Sequence, residues 1–163
     1  MEYLALKVVH ILSATLMVGT GFGTAFYMFF VNRTGNVQAM AVVTRLVARA
    51  DWWFTTPAMI VQPLSGFWMI HLAGYPMGSR WIVWSVVLYV VAGVCWLPVV
   101  WLQLRMRDMA AAAAAAVGGA GIAGSALAIP ARYWRYEKIW TVLGIPAFGA
   151  LMVVYWLMVH KPA

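Results

Sequence analysis

Three histidines, His10, His71 and His160, stand in a chain with 11 Lys and Arg and only 4 Asp and Glu. Imidazole binds transition metals and haem iron and moves protons near neutral pH. In an apolar segment an ionisable side chain is a functional candidate by default, because placing it in hydrocarbon costs free energy. His10 meets that description most fully. His71 is nearer an interface, where an amphipathic ring can also simply be wet, and His160 beside Lys161 reads as an interfacial anchor. On a helical wheel His10 shares its face with Ala14, Met17, Gly21, Thr24 and Met28, a small and polarizable stripe. His71 shares its face with Ile60, Leu64 and Phe67.

A flat apolar guest between those stripes would have imidazoles at its edge or axis. Iron porphyrin requires neutral imidazole nitrogen, an apolar slot and cations or donors for its propionates. The residues therefore predict a b-type haem bound by His10 and His71, with Met17, Gly21 and Phe67 along the slot. Lys7, Arg80 and Lys161 are the cations at the same end, and His10 is also the candidate catalytic residue. The competing reading is copper, held by His10, His71 and His160 with thioethers drawn from eleven Met.

Other chemistries lack their parts. No paired intramembrane carboxylates, Gly-rich phosphate loop, nucleophile elbow or His-x-x-x-His zinc spacing is present. The single cysteine, Cys95, cannot build a disulfide framework or a paired-thiol site. A net charge of +7 in a soluble chain would point to nucleic acid, but most of these cations sit in two loops and read as orientation signals. Nucleic acid is therefore not an expected partner; the lipid bilayer is.

The elements that must position the histidines follow from hydropathy. The chain is 65% hydrophobic and 9% charged, against roughly 25% charged in soluble domains. The predicted fold is all-α, a polytopic membrane four-helix bundle forming one transmembrane domain over 1–163. Spans are expected at about 3–31, 52–73, 81–104 and 139–159. The first contains Gly19-x-x-x-Gly23, a spacing that lets helices approach closely in lipid, and no cleavage site closes its apolar run. Asn32 to Asn36 is a turn cluster. Val37 to Asp51 is amphipathic, with Arg45 and Arg49 four apart, and is expected to lie at the interface near lipid headgroups. Trp52-Trp53 is an aromatic belt pair. Pro57 and Pro63 are tolerated in a membrane helix where neighbours satisfy the freed carbonyls. Residues 109–130, mostly Ala and Gly, gain little by leaving water and are expected to form a cytoplasmic connection. Eight cations then fall on one side and three on the other, which predicts both termini outside.

Lys7-Val8-Val9-His10-Ile11, Thr56-Pro57-Ala58-Met59-Ile60 with Gly66-Phe67-Trp68, and Val159-His160-Lys161-Pro162 resemble a superfamily of small bacterial membrane proteins. It includes HemJ-type protoporphyrinogen oxidase and CopD-like copper-resistance membrane domains. Asp51-Trp52-Trp53-Phe54-Thr55-Thr56-Pro57 and the length are most similar to a family of predicted integral membrane proteins of unknown function. The resemblance implies a multi-pass protein of the bacterial inner membrane, with b-type haem and His10 as ligand or active-site residue. The HemJ-like proteins have a lysine early in the third helix, where this chain has Ser79-Arg80-Trp81-Ile82, and an Asn-Glu pair where it has Tyr136-Glu137-Lys138.

Three functions are therefore in competition. The first is a haem-b membrane redox protein near the outer face, with quinone or a porphyrin as partner. The second is CopD-like copper handling. The third is a non-catalytic membrane subunit of a larger complex or homo-oligomer, packed through Gly19 and Gly23.

Overall fold

The computed structural model describes residues 1–120 and 129–162. Among these residues every regular element is helical: α1 (Glu2–Thr34), α2 (Val37–Ala50), a π-helical turn (Asp51–Thr55), α3 (Thr56–Ala73), α4 (Arg80–Ala120) and α5 (Ala131–His160). Three of them, α1, α4 and α5, are long and apolar enough to cross a membrane. The 18-residue α3, which carries Gln62, Pro63 and His71, is not among the three.

The turn cluster after the first span ends α1 by its own chemistry. Gly35 adopts a left-handed backbone (φ 65°), which costs glycine nothing, and Asn36 then caps α2 by accepting from the Ala39 N–H at 3.0 Å. No loop separates α2 from α3. The π turn joins them, with the Thr56 N–H reaching back to the Asp51 carbonyl. Pro63 has no N–H for the carbonyl of Met59, and the Tyr89 hydroxyl of α4 donates to that oxygen instead, at 2.6 Å. The proline in α3 thereby ties it to α4.

α4 does not stop at Leu104. Its 41 residues at ~1.5 Å each make a rod about 60 Å long, roughly twice the hydrocarbon thickness. Alanine has the highest helix propensity, so the Ala run propagates the helix, and its small side chains admit α2 closely. Gln38 on α2 donates to the Ala114 carbonyl at 3.0 Å. The Ala/Gly segment is thus helical as far as Ala120, and residues 121–128 of the expected connection lie outside the described residues.

Two buried clusters hold the molecule. The larger gathers Met28 and Met40 with Met106, Ala110, Tyr133 and Trp140 where α1 and α2 meet the α4–α5 pair. The smaller is built from Met17, Ala58, Ala92, Ala150 and Leu151. At one end Lys161 donates to the Tyr75 hydroxyl at 3.2 Å, bringing the end of α5 to the α3–α4 turn. At the other, Tyr133 donates to the Asn32 Oδ1 at 2.7 Å, and both residues are buried. Large apolar side chains such as Trp52, Trp84 and Ile145 point outward around the bundle, as expected where the surroundings are lipid.

Candidate functional site

Of the three histidines only His10 is drawn into the bundle. Its Nδ1 lies 2.8 Å from the Ser65 Oγ of α3. Ser65 Oγ also lies 2.7 Å from the Val61 carbonyl; with its proton given to that carbonyl, the serine oxygen accepts and Nδ1 carries the hydrogen. Nε2 is then left with its lone pair and has no hydrogen-bond partner among the described residues. One turn on, Ser13 donates to the Gln62 Oε1 at 2.7 Å. Ser13, Gln62 and Ser65 are all buried, so α1 and α3 meet along a short polar seam with the imidazole at its edge. Gly66 makes the approach possible, since a Cβ there would stand 3.3 Å from the imidazole Cε1.

His10 lines two adjoining cavities. One, of about 860 Å³, opens toward the end where the chain begins and finishes, and Lys7, Met69, Tyr75, Trp81, Met158 and Lys161 are among its walls. The other, of about 330 Å³, runs between α3, α4 and α5 past Met17, Phe67, Ser85 and Tyr89. Gln62, Gly66, Trp81, Tyr155 and Met158 border both. These volumes match small-molecule sites, which are commonly ~300–1,000 Å³ and mainly apolar with a few placed polar groups. Lys161 is held at the mouth by the Tyr75 hydroxyl, 4.9 Å above that ring and 5.6 Å from the Trp81 ring.

The sequence-predicted residues divide accordingly. His10, Met17, Phe67 and Lys7 line these cavities. His71 does not: it is exposed, on the same outward face as Ile60 and Leu64. The physical reason is helical phase, because six positions beyond Ser65 is about 240° around α3. His160 is also exposed and stacks edge-on against Trp156 at 4.5 Å. Gly21 lies on a separate inner cavity, where Phe148 fills the space beside it at 3.3 Å from where a Cβ would be. Arg80 is exposed and borders neither His10 cavity; Lys161 lies there instead. Among the described residues no group of three His, Cys, Asp or Glu could hold a metal ion, so the three imidazoles expected to share copper are not gathered.

Sequence reasoning missed Gln62 and Ser65. Their signal was present as a polar i, i+3 pair followed by Gly66 in an otherwise apolar span, a pattern that marks a helix contact in lipid. It also missed Asp51, which is buried, accepts from Thr55 Oγ1 at 2.9 Å and lies just ahead of the second expected span.

An all-helical chain with three helices able to cross a membrane and an apolar cavity between them is an integral membrane protein. The chain belongs to the family described as "Predicted integral membrane protein (DUF2269)", whose model matches residues 4–162. No curated protein and no solved structure matches it.

Proposed function

We propose that this protein is a haem-b-binding membrane redox protein in which His10 is the iron ligand. The observation that carries the reading is the contact of His10 Nδ1 with Ser65 Oγ at 2.8 Å, which leaves Nε2 without a partner on a histidine that lines an apolar cavity of about 860 Å³. A ligating imidazole characteristically donates its other ring N–H to a fixed acceptor, which sets its orientation and basicity. Lys7 and Lys161 at the mouth supply cations for two propionates, and Met69 and Met158 offer thioethers along the wall. When bound, haem b supplies one-electron chemistry. The chain's own residues orient the imidazole through Ser65, exclude water with Ile70, Trp81 and Met158, and hold the carboxylates at the lysine-lined rim.

The same reading places α3 in the bilayer as a fourth span, with the π turn extending it, and puts both termini outside. Arg33, Arg45, Arg49, Arg105, Arg107, Arg132, Arg135 and Lys138 are then cytoplasmic, while Lys7, Arg80 and Lys161 are not. The His10 cavity therefore opens at the outer face, within reach of a lipid-soluble donor such as a quinol and of an acceptor outside. Protein purified in detergent from haem-replete cells should show a Soret band that sharpens and shifts on dithionite reduction. A folded but colourless preparation would refute the proposal.

A further inference from the structure

Separate from the His10 cavities, a smaller cavity of about 70 Å³ is lined by the middle of α1, the π turn, α4 and α5, with Thr24, Asp51, Thr55, Gln103 and Trp140 among its walls. Two of these residues are 5% and 6% exposed and carry orphaned polar atoms, the Gln103 Oε1 and the Trp140 Nε1. One is an acceptor without a donor and the other a donor without an acceptor. A cation would satisfy the first and repel the second, and a dry cavity would leave both unpaired at a cost. Water, which donates and accepts, answers both, and the cavity exceeds the ~10–15 Å³ that one water needs.

The surroundings say where such water comes from. Asp51 and Gln103 also border a groove of about 660 Å³ on the outside of the bundle, lined by Arg45, Arg49, Arg107 and Asp108. Asp51, held by Thr55, thus forms the partition between that groove and the cavity. On the opposite side Met17 and Leu151 border both this cavity and the smaller His10 cavity, and both side chains are buried and apolar. We propose that the Asp51–Gln103–Trp140 cavity is a hydrated site, in which water bridges Trp140 to Gln103 and exchanges with solvent past Asp51. Its water comes from the groove and returns to it; Met17 and Leu151 close the other end. Nothing in this inference depends on haem.

The test uses the whole protein in detergent with ¹⁵N-labelled tryptophan, the Trp140 indole signal being assigned by its disappearance in Trp140→Phe. The expected result is a cross-peak between the Trp140 indole N–H and water, lost in Gln103→Leu. Should Gln103→Leu fail to fold, exchange in the wild type decides alone. A Trp140 indole without a water cross-peak that also stays unexchanged in D₂O would overturn the proposal, whatever the optical spectrum shows.

Discussion

Ser65 decides which nitrogen of His10 is available. With its proton on the Val61 carbonyl 2.7 Å away, the hydroxyl accepts from the imidazole, and a ring free of this partner would sample both tautomers and several orientations. Removing the acceptor should therefore weaken ligation without removing the ligand. Ser65→Ala is expected to lower haem affinity by about 10–100-fold, the usual effect of deleting a partner behind a ligating histidine. The measurement is a haemin titration followed by the Soret band. An affinity equal to wild type would show that the serine does no more than pack.

The prolines act at the scale of elements. Pro63 frees the Met59 carbonyl and Tyr89 claims it, so a helix defect becomes an interhelical bond. Tyr89→Phe leaves that oxygen unsatisfied and should cost about 1–3 kcal/mol in a detergent unfolding titration. Pro63→Ala returns an N–H to the same carbonyl, so Tyr89→Phe should cost less in that background; an undiminished cost would disprove the coupling. Much of this level was legible in the sequence. The turn cluster at Asn32 to Asn36, the amphipathic run before Trp52-Trp53 and the apolar spans announce their elements through local chemistry. Two things were not legible. The Ala run reads as too weakly hydrophobic for a membrane, yet hydropathy does not measure helix propensity, and α4 continues through it to Ala120. The face of α3 that meets α1 was not legible because the apolar stripe drew attention, yet Ile60 and Leu64 face outward, whereas Gln62 and Ser65 make the contact. In hydrocarbon, apolar side chains gain nothing special by facing the bundle, so polar and small residues mark the interface better.

For the whole molecule, the charge asymmetry and the packing point the same way. Lys161 on Tyr75 joins the C-terminal end to the α3–α4 turn, and Tyr133 on Asn32 joins the end of α1 to the start of α5 at the opposite end. The proposed four-span topology puts 77 and 162 outside and 36 inside. In a Cys95→Ala background, an impermeant maleimide applied to intact cells should label Met77→Cys and Pro162→Cys, and should reach Asn36→Cys only after lysis. Labelling of Asn36→Cys alone in intact cells would reverse the orientation, and labelling of Met77→Cys and Asn36→Cys from the same side would remove α3 from the bilayer.

At this scale too the functional account reduces to one asymmetry among three like residues: a single imidazole faces the cavity while the other two face outward. Haemin titration of the purified protein and of His10→Ala, His71→Ala and His160→Ala tests it directly. The account predicts a Soret shift that His71→Ala and His160→Ala retain and His10→Ala loses while remaining folded. Wild-type binding by folded His10→Ala, or loss of binding in His71→Ala, would contradict it.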